Sequence, residues 1–259
     1  MKKILFTLLV MMVLISTATA NGSQETLEYG SGLGSDQGPR DGSGRGAGNG
    51  SGRGNSSGVS YRENFTEELS TVYQAPIGSG VLTSDEKEGL LLMSEEEKLA
   101  RDVYTELYET WNLPIFRNIA ESEQQHMDAI EMMMEAYELP GAASDEKGSF
   151  VNEELSALYT KLTEDGSESL SAALQVGALI EDLDIADLQK LLGSMKNEEV
   201  KILYQNLMKG SRNHLRSFTA QLNREDISYE TQYITEEYYD QILSLNREIA
   251  PIGDPDYSL

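Results

Sequence analysis

Glu123 and His126 lie three residues apart inside a strongly periodic apolar stretch. At about 100° per residue, Ile115, Phe116, Ile119, Ala120, Met127, Ile130, Met133, Met134 and Tyr137 share one helical face, and Glu123 and His126 fall in its middle. A charge buried in apolar surroundings is costly unless it is paired or bound to metal. A carboxylate and an imidazole directed inward at i and i+3 form the unit from which four-helix bundles build di-metal sites. This pair therefore predicts an all-α chain whose other helices supply partners to a polar centre.

The surrounding pattern supplies such helices. A stripe of Leu90, Leu92, Met93, Leu99, Ala100, Val103, Tyr104, Leu107 and Trp111 predicts a first helix from Ser84, with room for a break at Gly89. Asn112-Leu113-Pro114 ends it, and Pro114 suits the first turn of the next helix, which runs to about Glu138 before Pro140-Gly141. A short helix is expected from Asn152 to Asp165, ended by Gly166. A third long helix follows from about Ser167 to Leu192, with Glu181 central on its face and Asp184 beside it. Asn197 is placed to cap a fourth helix that reaches about Asn223 and carries Ser211 and His214 on its apolar face. The expected plan is a bundle of two antiparallel hairpins with one long crossover, 140–167, containing the short helix.

The polar residues match in level. The first hairpin turns near residue 113: Glu97 lies 16 residues before it, Glu123 and His126 10 and 13 after it. The second turns near residue 195: Glu181 lies 14 before, Ser211 and His214 16 and 19 after. At about 1.5 Å per residue these levels agree to within a turn or two. Glu97, Glu123, His126, Glu181 and His214 are thus expected in one slab. The helical wheel alone would select Glu96 over Glu97, because Glu96 lies nearer the centre of its stripe.

Residues Glu97-Lys98-Leu99-Ala100-Arg101-Asp102-Val103-Tyr104 resemble the first-helix motif of rubrerythrin-type ferritin-like proteins, and Ile119 to His126 resembles their second-helix Glu-x-x-His. More closely, residues 86–91, 101–104, 113–116 and 122–129 are similar to the domain of unknown function 2202 family, a ferritin-like group without an assigned reaction. The similarity covers about 83–224 and is most specific in the first hairpin. It implies a ferritin-like four-helix bundle with a di-iron or di-manganese site, zinc being compatible with the same donors. Glu97 would be a terminal ligand. Glu123 would bridge, His126 would join it, Glu181 would serve from the third helix and His214 from the fourth. The family pattern puts a glutamate at position 211, where this chain has Ser211. Asp184, one turn after Glu181, is the carboxylate that would compensate; without it three carboxylates and two imidazoles leave two divalent ions with excess positive charge that needs hydroxide or another anion, so one or two ions per chain are expected. Oxidase, peroxidase or metal-storage activity is implied, and a homodimer is compatible with it.

Composition narrows the remaining options. The chain has 259 residues and no cysteine, so thiolate ligands, disulfides and the cysteine-held iron of rubrerythrins proper are excluded. A net charge of −24 argues against nucleic-acid binding, which depends on neutralising phosphates. Lys2 and Lys3, an apolar run over 4–15 and Ala18-Thr19-Ala20 predict a signal peptide over 1–20. No transmembrane span is expected in the mature chain, which would be secreted, extracytoplasmic or held at the cell surface. Residues 21–60 carry 13 of the 23 glycines and are expected to be a flexible tether. An irregular lead-in is expected over 61–82. A Tyr-rich tail, 225–259, is expected to hold a short helix at 235–244. Glu95-Glu96-Glu97 reads as a solvated helix start, and Met132-Met133-Met134 as core filler. A non-enzymatic exported bundle for binding or display, with His–Glu pairs and a degenerate metal site, accounts for the same residues.

Overall fold

The computed structural model describes residues 61–141 and 144–259. The expected signal peptide and tether lie outside the described residues. Among the described residues seven helices follow in order: α1 Tyr61–Ser70, α2 Ser84–Trp111, α3 Pro114–Ala136, α4 Glu153–Ser167, α5 Leu170–Leu192, α6 Glu198–Arg224 and α7 Glu236–Ser244. The chain is an all-α bundle in which α2 pairs with α3 and α5 pairs with α6. Among the described residues no helix is long and apolar enough to cross a membrane.

Local chemistry sets the helix limits. Thr83 and Glu86 form a reciprocal capping box at the start of α2, satisfying two of the amide donors that every helix N-terminus leaves free. Glu86 does more: its Oε1 accepts the backbone amides of Lys196 and Asn197, both at 2.7 Å. One carboxylate thereby joins the beginning of the first hairpin to the turn of the second. At the α2–α3 turn Asn112 takes the left-handed conformation (φ 49°), and its amide bonds Tyr108 O at 2.8 Å. Asn197 caps α6 by accepting Val200 N at 3.1 Å.

Two expected boundaries are corrected. Helix α2 runs unbroken through Gly89, which is where Leu191, Met195 and Tyr204 press closest. Gly166 lies inside α4 rather than ending it. A Cβ there would stand 2.6 Å from Leu107 Cδ2, so the glycine permits close packing of α4 on α2.

The lead-in is also corrected. Residues 61–70 form α1, which packs on α3. Leu69 is fully buried, and Phe65 packs against the core. A single decapeptide this polar does not hold a helix in water; its docking on α3 does.

The crossover is tied down by buried polar residues of α2. Glu95 accepts the amides of Val151 and Asn152 at 2.5 and 3.0 Å. Lys98 donates to Glu146 O at 2.8 Å, lies 4.4 Å from the Phe150 ring centroid and pairs with Asp102. Asp102 in turn accepts Gly148 N at 2.9 Å. The expectation of a solvated helix start at Glu95-Glu96-Glu97 is overturned, since all three are buried. Helix α2 is enclosed by α3, α4 and α5, so it has no free face at this level.

The tail packs on α5 and α6. Asp182, fully buried, accepts the Tyr229 hydroxyl at 2.8 Å and the amides of Gln232, Tyr233 and Ile234 at 2.6, 3.3 and 2.8 Å. Asn206 exchanges two hydrogen bonds with Ile252 at 2.8 Å each. Glu248 receives Arg212 and Arg216.

Candidate metal centre

Two clusters meet in the interior: Glu97, Glu123 and His126, and Glu123, Glu181 and His214. All five side chains are buried, and Glu123 belongs to both clusters. Its Oε2 lies 2.7 Å from His126 Nδ1 and its Oε1 lies 2.9 Å from His214 Nδ1. Glu97 Oε2 lies 3.0 Å from His126 Nδ1, and Glu181 Oε2 lies 3.5 Å from His214 Nδ1. The two imidazole rings stack, with centroids 5.6 Å apart and planes at 26°. Each of the four long helices contributes: α2 gives Glu97, α3 gives Glu123 and His126, α5 gives Glu181, and α6 gives His214.

The outer edges of these groups are fixed by neighbours. His214 Nε2 lies 3.0 Å from the Ser122 hydroxyl. When Nε2 carries the proton, Nδ1 is left with a lone pair facing Glu123 and Glu181. The Tyr104 hydroxyl donates to Glu181 Oε1 at 2.5 Å, which turns Oε2 toward His214. The His126 ring packs against Phe65 of α1, with centroids 5.0 Å apart, and lies against Gly210 of α6.

Several donor atoms here have no hydrogen bond. Glu97 Oε1, Glu123 Oε1 and His214 Nδ1 are buried without one. Glu123 Oε1 and His214 Nδ1 are close enough for one, yet are not aligned with each other. Buried polar atoms are nearly always paired. Lone pairs that converge without donating to one another suit a cation between them, and carboxylate with imidazole suits iron, manganese or zinc.

Electrostatics points the same way. Burial would raise Glu123, but the imidazoles of His214 and His126 outweigh it and hold the carboxyl well below its ordinary range. Burial would lower the imidazoles. Glu123 and Glu181 overcome this at His214 and lift it to about 10; Glu97 and Glu123 lift His126 as well. Burial pushes Glu97 up to about 7 despite His126, and burial likewise raises Glu181. Without metal, protons hold this set of charges together. Metal binding displaces such protons.

A pocket opens onto the centre, lined by Glu96, Glu97, Leu99, Ala100, Glu123, Leu155, Ile180, Glu181, Leu183 and Asp184. It gives the centre of a water-sized molecule about 20 Å³ of room, and one ordered water needs roughly 10–15 Å³. Leu155 belongs to α4, so the crossover helix forms part of the rim.

Of the residues singled out in the sequence, Glu97, Glu123, His126, Glu181 and His214 converge. Asp184 is in neither cluster; it lines the pocket and hydrogen-bonds to Ser211. Glu96 is in neither cluster either; it is buried, lines the pocket, and neither of its oxygens has a hydrogen bond. Ser122, Gly210 and Phe65 were not foreseen. Ser122 stands next to Glu123, where a hydroxyl could have been suspected; the other two depend on how α6 and α1 dock.

Residues 86–246 match the family described as the uncharacterized protein domain DUF2202. Over 183 residues the chain is 50% identical to the uncharacterized protein MJ0754 of Methanocaldococcus jannaschii, covering 70% of this chain and 96% of that one. It is also similar to the crystal structure of the hypothetical protein MJ0754 from Methanococcus jannaschii, with a TM-score of 0.65 at 51% identity, covering 66% of this chain and 98% of that one. With its matched segment spanning both hairpins and every residue of the two clusters, this chain belongs to the DUF2202 family.

Proposed function

We propose that this protein is a ferritin-like metal-binding protein whose α2, α3, α5 and α6 hold two divalent ions, iron or manganese. Glu97, Glu123 and His126 would hold one, and Glu123, Glu181 and His214 the other, with Glu123 shared. The observation that carries this reading is the carboxylate of Glu123, which presents one oxygen to each imidazole.

Bound iron or manganese would supply one-electron chemistry with oxygen or peroxide, or a store of the ion itself. The residues of the chain position and exclude. Ser122 orients the His214 ring, Tyr104 orients Glu181, and Leu99, Ile180 and Leu155 give the pocket apolar walls. Export is part of the proposal, supported by Lys2, Lys3, the apolar run over 4–15 and Ala18-Thr19-Ala20; N-terminal sequencing of the secreted protein tests it.

A second reading, a bundle without metal, is favoured by the 3.0 Å hydrogen bond between His126 Nδ1 and Glu97 Oε2. Loading with Fe(II) or Mn(II), dialysis and metal analysis separate the two. Two ions per chain, lost in Glu123→Ala/His126→Ala, support the metal site. No ion in either protein, with melting unchanged by loading, supports the bundle.

A further inference from the structure

Bundles of this kind take one glutamate from each of two helices and a Glu-x-x-His unit from each of the other two. Here Glu97 and Glu181 are the single glutamates and Glu123-x-x-His126 is one complete unit. The other is Ser211-x-x-His214. With three carboxylates against two divalent ions, the centre would carry one uncompensated positive charge. In a buried site such a charge is costly.

The structure holds a further carboxylate in the pocket beside the two clusters. Asp184 follows Glu181 by three residues on α5, and residues at that spacing are neighbours on a helix face. Its Oδ2 hydrogen-bonds the hydroxyl of Ser211 across the α5–α6 interface. Asp184 lines the same pocket as Glu97, Glu123 and Glu181. The charges that act on it most are Glu97 and then Glu181, one from each cluster. Glu123 belongs to both clusters, and Asp184 shares the pocket with all three of their carboxylates.

We propose that Asp184 is a ligand shared by both metal positions, a carboxylate relocated from position 211 on α6 to α5, with Ser211 holding it in place. This rests on the two clusters binding metal. It makes the chain's own donor set four carboxylates and two imidazoles, neutral with two divalent ions. Glu96 lines the same pocket and neither of its oxygens has a hydrogen bond, but Asp184 is the carboxylate tied to Ser211, the position that lacks its glutamate.

The test is Mn(II) stoichiometry and second-ion affinity in wild type, Asp184→Asn and Asp184→Asn/Ser211→Glu, with EPR reporting whether two ions are coupled. Wild type is expected to hold two coupled ions. Asp184→Asn should hold one, or bind the second at least about 100-fold more weakly, since even outer-shell losses cost about 10–100-fold. The double variant, which returns the carboxylate to α6, should recover two. Asp184→Asn with two ions of unchanged affinity would overturn the proposal, and a double variant that stays at one ion would overturn the relocation. One ion in wild type would overturn it while leaving metal binding intact; none would overturn both. Ser211→Ala keeps the carboxylate but removes its support, and it is measured in parallel in case Asp184→Asn does not fold. A second-ion affinity about 10-fold weaker supports the assignment, and an unchanged one contradicts it.

Discussion

Gly210 of α6 lies directly behind the ring of His126 on α3: a Cβ at residue 210 would stand 2.5 Å from both Cε1 and Nε2 of the imidazole. That distance is far inside van der Waals contact, so the absence of a side chain at 210 is what lets His126 point its Nδ1 at Glu97 and Glu123. Replacing a helical glycine by alanine ordinarily stabilises by about 1 kcal/mol. Here the methyl must displace a fully packed ring, and overpacking costs about 1–3 kcal/mol. Gly210→Ala is expected to lower the urea midpoint of the metal-free protein and to weaken metal binding. A stabilised variant with unchanged metal content would show that His126 is not held against α6.

Phe65 packs against the same ring, its plane tilted by 54°. Phe65→Ala removes part of the seal that α1 lays over His126, at a cost of about 2 kcal/mol. The number of ions bound should stay the same, because Phe65 contributes no ligand. Removal of the ions by a chelator should become faster. Equal extraction rates in the two proteins would show that solvent reaches the centre by the pocket near Leu155 alone.

The metal-free and metal-loaded proteins should respond to pH in opposite directions. For His214 the folded pKa is raised from 6.5 to about 10. Its contribution is therefore complete below pH 6.5 and is lost as the pH rises through about 10. Glu97 is raised from 4.5 to about 7, so ionising it costs stability as the pH rises between those values. Glu123 is lowered, so its contribution is present above pH 4.5 and is lost as the pH falls toward its folded value. Metal-free protein should thus be most stable near pH 5–6 and melt at progressively lower temperature up to pH 10. Metal binding needs neutral imidazole and charged carboxylate, so the gain in melting temperature on loading should grow from pH 6 to pH 8. Parallel profiles for the two forms would contradict the assignment of these residues as ligands.

Asp182 offers a test away from the centre. It gathers one hydroxyl and three backbone amides of the tail, and most of their cost is recovered if the freed donors return to water. Asp182→Ala should free residues 225–234, cost about 2–4 kcal/mol and expose this segment to limited proteolysis. Metal content should be unaffected. An unchanged cleavage pattern would mean that the remaining anchors of the tail, Tyr239, Ile242 and the bonds of Glu248 and Ile252, hold it without Asp182.

The site was more legible in the sequence than the parts that enclose it. Both histidines stood on apolar stripes, and hairpin arithmetic brought them to one level because helices rise uniformly along their axes. Glu97 could not be chosen over Glu96 by that means. The wheel assumes one buried face, whereas α2 is covered on three sides, and Glu95, Glu96 and Glu97 serve three different neighbours. Helix α1 was missed because its own residues scarcely favour it; Phe65 and Leu69 find their partners only once α3 exists. The role of Gly166 was misread for a related reason. A glycine that ends a helix and a glycine that admits a neighbouring leucine look alike until Leu107 is in place. Asp184 was legible as the carboxylate to compensate for Ser211, but its hydrogen bond to the Ser211 hydroxyl crosses two helices and depends on how α5 docks on α6.

The central claim is that Glu123 serves two metal positions at once. A crystal structure of Mn(II)-loaded protein, with diffraction data collected above and below the manganese absorption edge, tests it most directly. The account predicts two anomalous peaks per chain on either side of the Glu123 carboxylate, one near Glu97 and His126 and one near Glu181 and His214. A loaded crystal with no peak at Glu123, or with metal only on surface carboxylates, would contradict it.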